Sequence, residues 1–93
     1  MALTAQYEIV PGVQVPVYVR IQRTFGGKAE GVGSVIQTFG GSVKPESGAK
    51  PILPDYNGPQ VEWSAADKNE VVVYTALKAR LEADPQYSEV VDC

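Results

Sequence analysis

The chain contains no histidine, a single cysteine and no long apolar run in its 93 residues. Without histidine there is no Ser-His-Asp or Cys-His arrangement, no histidine general base and no histidine metal ligand. The cysteine is the last residue, Cys93, so an internal disulfide and a cysteine-based zinc site are both excluded. The fold therefore rests on packing alone, as in proteins of a reducing cytoplasm. Asp92 beside Cys93 favours the protonated thiol, and an inert cysteine is expected. No stretch approaches the ~20 apolar residues of a membrane helix. No basic segment followed by an apolar one marks a signal peptide, and synthesis and retention in the cytoplasm are expected.

Charge is equally unassertive. Eight basic and eleven acidic residues give a net charge of −3, and they are dispersed. Phosphate binding needs a clustered basic face. The nearest approach to one, Arg20, Arg23 and Lys28, reads as solvated surface on a strand and its turn. Lys28 follows Gly26-Gly27 but lacks the spaced glycine and the Ser/Thr of a P-loop. Gly31-Val32-Gly33 lacks the third glycine of a dinucleotide fingerprint. Asp55, Glu62, Asp67 and Glu70 lie close together in sequence. Paired carboxylates could serve glycosidase chemistry or calcium, yet these positions suit turns and helix caps better. No catalytic residue, cofactor or metal is expected, and neither nucleic acid, membrane nor small-molecule substrate is expected as a partner.

What is present is mostly β pattern. Leu3, Ala5, Tyr7 and Ile9 alternate with polar residues, which predicts a strand over about 3–10. After the Pro11-Gly12 turn pair, Val13, Val15, Val17, Val19 and Ile21 share one face of a second strand over about 13–23. L-Pro-Gly favours a type II turn, which splays strands. The hairpin is therefore either wide, or its second strand crosses to another sheet. Pro16 cannot donate to a ladder, so an edge or bulge is expected there, either open to another chain's strand or protected from one. A third strand over about 31–39 has poorer alternation, and its two glycines suggest a bulge. Thr-Phe-Gly-Gly occurs at 24–27 and 38–41, as two similar strand ends rather than a repeat.

Residues 40–59 then hold four glycines and four prolines in twenty positions without periodicity. Compact domains rarely spend so much chain on one connection unless it is functional or disordered. Prolines stiffen it toward an extended, polyproline-like form. Pro51, Ile52, Leu53, Pro54 and Tyr56 on such an arm suit a groove on a neighbouring chain; equally, they suit the end of their own sheet, because a core this small needs every apolar side chain.

A fourth strand is expected over 60–65, with Trp63 anchoring the core. Ser64 or Asp67 caps a helix over about 68–83 that stops at Asp84-Pro85. Val73, Tyr74, Leu77 and Leu81 form its apolar face. Val72, Ala76, Ala79 and Ala83 form a second ridge of small residues, so the helix is expected to be covered from two sides. The tail, 86–93, docks against the helix end or the sheet. The whole is expected to be one α+β domain: a small antiparallel sheet or sandwich of about four strands, one C-terminal helix and a long Gly/Pro-rich loop.

The C-terminal third, with Val71-Val-Val-Tyr74, Leu77-Lys78, Asp84-Pro-Gln-Tyr87 and the ending Val90-Val91-Asp92-Cys93, resembles the tails of small structural proteins of tailed bacteriophages. The likeness is carried by about twenty residues, and the long loop is not part of that pattern. The resemblance implies a non-enzymatic, multi-copy virion component assembled in the host cytoplasm, with the tail apparatus slightly favoured over head decoration, bound to other virion proteins and to copies of itself. The expected interface comprises Pro51, Ile52, Leu53, Pro54, Tyr56, Pro16, Val72, Ala76 and Ala79. The alternative is a small monomeric binding or inhibitory module that engages a host protein through Ile52, Leu53 and Tyr56.

Overall fold

A computed structural model describes residues 2–63 and 69–92. Among them are five strands and one helix: β1 (Leu3–Val10), β2 (Val13–Gly27), β3 (Gly31–Gly40), β4 (Tyr56–Asn57), α1 (Asn69–Ala83) and β5 (Tyr87–Asp92). The strands form one open antiparallel sheet in the order β4-β3-β2-β1-β5, an α+β architecture. Among the described residues there is a single sheet and no sandwich. Two strands differ from the sequence expectation. β4 lies inside the expected arm, and the tail forms β5. The expected strand at 60–65 contributes only a bridge between Val61 and Val32. Its last two positions, and both expected helix caps, Ser64 and Asp67, lie outside the described residues.

The alternating pattern decides which face is dry. Leu3, Ala5, Val17, Val19 and Ile36 point to one side and pack against Tyr74, Leu77 and Leu81 of α1 and Val90 of β5. Val73, on the same helix face, is fully buried. On the opposite face, Tyr18 and Phe39 form a separate small cluster with Ala2. The Arg20 guanidinium stacks 4.6 Å from the Phe39 ring centroid, and its Nε donates to Gln37 Oε1 at 3.1 Å. Arg20 thus roofs an apolar pair by cation–π contact.

Three irregularities tune the sheet. Pro11 and Gly12 (φ 83°) make the tight β1–β2 turn, and a bulge between Glu8 and Val10 lets the strands pair despite it. A second bulge, between Ile21 and Arg23, reverses the facing of the rest of β2. Phe25 consequently lies over Gly33, where a Cβ would collide with its ring. A third, in β5, places Glu89 at φ 52° and turns Val90 inward.

Pro16 is not on an edge strand, since β2 has neighbours on both sides. It sits where β3 has just run out: the last β2–β3 pair is Val17–Gly40, and Gly41 N–H donates to the Pro16 carbonyl at 2.9 Å. N–H and C=O of one strand residue point the same way, so the missing donor faces a position with no strand to receive it. Trp63 is likewise displaced from the expected core. It is half-buried at the far end of the sheet, lining a shallow groove with Lys28, Glu30, Gln60 and Glu62.

The second half of the Gly/Pro-rich connection is bound to its own sheet. Ile52 N–H donates to Thr38 O, Gly58 N–H donates to Ser34 O, and Val61 and Val32 exchange both backbone bonds. These contacts, with β4 between them, run antiparallel along the free edge of β3. Deleting this half would therefore strip the sheet edge and not merely shorten an arm. Gly58 is required there, because a Cβ would meet Ser34 Oγ and the Ile36 side chain. Gly58→Ala should cost about 1–3 kcal/mol of stability in denaturant melts. Tyr74→Phe should cost about as much, because the Tyr74 hydroxyl accepts the Ile21 N–H at 3.0 Å beside the β2 bulge, and its loss leaves that donor unpartnered.

Candidate interaction surface

The end of the sheet that carries the β1–β2 turn is termed apical. β1 and β3 both run toward it, the connection after β3 leaves and rejoins the sheet there, and α1 ends there before turning into β5. Tyr7 (β1), Tyr56 (β4) and Tyr87 (β5) meet at this end on the helix side. Together with Leu53, Pro54, Arg80, Leu81, Asp84 and Gln86 they line an open pocket of about 350 Å³. Tyr7 and Tyr87 lie 5.0 Å apart between ring centroids, tilted by 51°. Tyr56 and Tyr87 belong to opposite edge strands. Their meeting means that the sheet curls until its two edges face one another across the helix end.

The pocket rim is held by backbone bonds. Asp84 N–H donates to Leu81 O, Tyr87 N–H to Asp84 O, and Gln86 N–H to Asp84 Oδ1 at 2.9 Å, so Asp84 fixes the turn from α1 into β5. Arg80 Nη1 reaches the Asn57 carbonyl at 3.4 Å and ties the helix to β4.

Burial raises the pKa of Tyr87 well above the ordinary tyrosine value, and the neighbouring Tyr56, Tyr7 and Asp84 add to it. Burial also raises that of Tyr56, with the Arg80 charge opposing. The Tyr56 hydroxyl lies near those of Thr38 and Tyr87, and the two tyrosines influence one another's titration. Tyr56 Oη and Thr38 Oγ1 are buried with no hydrogen-bond partner among the described residues.

Of the expected interface residues, Leu53, Pro54 and Tyr56 come together in this pocket, with Leu53 and Tyr56 half-buried. Pro51 and Ile52 are exposed beside it, and Pro16 is exposed at the same end on β2. Val72, Ala76 and Ala79 lie elsewhere, along α1. Val72 and Ala76 are half-buried and Ala79 is exposed, so the second ridge has only partial cover within the chain. Tyr7, Tyr87 and Arg80 complete the pocket and were not legible as site residues. Nor were the apical apolar residues Ile9, Val10, Val13 and Val43. Of eight large apolar side chains exposed among the described residues, five (Ile9, Val10, Val13, Val43 and Ile52) are at the apical end; Phe25, Val71 and Val91 are the others. Val43 is the most open, at 73%. Scattered exposed apolar residues are ordinary, whereas a contiguous apolar patch would mark a contact surface.

Among the described residues no group of three or more acidic, histidine or cysteine side chains converges as a metal site. No described helix is long and apolar enough to cross a membrane. Comparison with protein families, curated proteins and solved structures finds no match.

The tyrosine pocket has a pH signature. Tyr56, Tyr74 and Tyr87 all have raised pKa values, so the folded chain keeps protons that the unfolded chain sheds above its ordinary tyrosine pKa of about 10. Stability is full below that pH and falls as pH rises beyond it. Melting temperature should hold steady from neutrality to pH ~9 and drop above ~10. Tyr87→Phe should flatten that drop, and an unchanged slope in the variant would count against the assignment.

Proposed function

We propose that this chain is a non-enzymatic structural subunit of a tailed-phage virion, held to its neighbours through the apical end. The observation that carries the reading is the gathering of exposed apolar side chains at that end, around a pocket with aromatic walls. A free-standing molecule gains nothing from leaving five large apolar groups together in water, at about 25 cal/mol for each Å² of apolar surface.

The phage setting rests on the C-terminal resemblance. The residues that carry it work inside the fold: Tyr74 and Leu77 in the core, Tyr87 in the apical pocket, and Lys78 paired with Asp92 at 3.4 Å between helix and tail. They support a shared way of building a small subunit, with the tail apparatus favoured over head decoration. A monomeric host-binding module working through Ile52, Leu53 and Tyr56 is less well supported, because Leu53 and Tyr56 are half-spent on their own sheet.

Particles purified from the phage that encodes this chain should contain it in many copies. Replacing Ile9 and Val10 together by Ser should leave the isolated chain folded by circular dichroism but deplete it from particles. Full incorporation of that variant, or absence of the wild-type chain from particles, would refute the reading.

A further inference from the structure

The tyrosine pocket has an acceptor's shape, and a matching donor stands on the same end of the molecule. After Gly41 is tied to Pro16, the chain makes an excursion before Ile52 is tied to Thr38. It does not extend as one stiff arm. It doubles back through a turn closed by Ala49 N–H to Glu46 O at 3.0 Å, with Gly48 at φ 86°. Val43, Lys44 and Glu46 on its outgoing limb are all exposed. The limb thus offers one bare aliphatic side chain followed by a positive and a negative charge. The pocket offers an open recess walled by Tyr7, Tyr56, Tyr87 and Leu53, with Arg80 and Asp84 also lining it. Arg80 lies in the last turn of α1 and Asp84 just past its end. Lys44 and Glu46 flank Pro45 on the outgoing limb, so both charges are carried within three residues. Each pair carries one positive and one negative charge, so the limb and the rim can be aligned with unlike charges facing.

We infer that two copies of this chain pair apex to apex. Val43 of each enters the tyrosine-lined pocket of the other, with Glu46 facing the neighbour's Arg80 and Lys44 facing its Asp84. This inference names the neighbour in the structural reading above and rests on it. Donor and acceptor lie on one end of one molecule, so a two-fold pairing satisfies both at once. The contact is isologous and closes at two copies, unlike a head-to-tail contact that propagates. Ile9, Val10 and Val13 lie at the same end and are brought toward the same boundary.

Sedimentation velocity on the purified full chain over a range of concentrations tests this. The wild type should show a monomer–dimer equilibrium. Val43→Asp should weaken it at least tenfold, with an unchanged far-ultraviolet spectrum. Arg80→Glu and Glu46→Arg should each weaken dimerisation, and the two combined should restore it. Restoration separates a contact between copies from any loss of the Arg80–Asn57 bond, which the double variant shares. Three results would overturn the pairing: a chain monomeric at every concentration, a dimer indifferent to Val43→Asp, or association that continues past two copies. In each case, particles that still contain the chain would leave the virion reading standing, so the two can fail separately.

Discussion

One helix has to keep dry a sheet that is too wide for it. Five strands spaced about 4.8 Å apart span roughly 19 Å, whereas a helix with its side chains is about 10 Å across. A flat sheet would leave both edges of its apolar face in water. The sheet curls instead. Leu3, Val17, Val19 and Ile36 line the middle and meet Tyr74, Leu77 and Leu81 directly. At the apical end, where α1 stops, the large rings of Tyr7, Tyr56 and Tyr87 span the remaining gap. Tyrosine suits that position because its body is apolar and its hydroxyl tolerates a half-wet setting. The pocket is what is left when two sheet edges approach without closing into a barrel.

The curl also explains the odd chemistry of β3. Its helix-side positions are Ser34, Ile36 and Thr38, small or branched where β1 and β2 use Leu and Val. Ser34 and Thr38 are fully buried, and their hydroxyls have no hydrogen-bond partner among the described residues. Buried unpartnered hydroxyls cost on the order of 1–3 kcal/mol, so a compensation is needed. It lies in what passes over them: Gly58 runs so close to Ser34 that a methyl group would not fit between them, and the Tyr56 hydroxyl comes near that of Thr38 from the adjoining strand. Larger apolar residues on β3 would push this edge outward and reopen the sheet.

The regular parts of this fold were legible because their period is long and clean. Residues 3–9 of β1 and 13–22 of β2 carry an apolar residue at every second position, and Val73, Tyr74, Leu77 and Leu81 fall on one helical face. The rest failed for local reasons. The bulge between Ile21 and Arg23 reverses the facing of Phe25, and alternation read in register cannot see a change of register. β4 has only two residues, and its pairing is specified by the β3 edge rather than by its own sequence. β5 reads as irregular because its bulge at Glu89 breaks the period. Trp63 was expected inside for its size, but its strand is reduced to one bridge and carries it to the rim. Half of the apical pocket was visible, in Leu53, Pro54 and Tyr56. The other half comes from β1 and from the helix–tail turn, and only the curl of the sheet joins those segments.

Length separates the two ends of the molecule. β2 has 15 residues and α1 also has 15, but at about 3.3 Å per residue against 1.5 Å the strand is more than twice as long. The β1–β2 and β2–β3 hairpins must therefore overhang the helix at opposite ends. At the far end the tip itself is wet, formed by Gly26, Gly27, Lys28, Glu30 and Gly31, with the half-exposed Phe25 ring behind it lying flat on Gly33. At the apical end the same geometric need is met with Ile9, Val10 and Val13, and the neighbouring excursion exposes Val43. The helix imposes both overhangs but dictates the chemistry of neither. A chain that makes one tip soluble with glycine and charge has the means to make the other soluble too. That it does not is what supports the proposal that the apical end makes contacts.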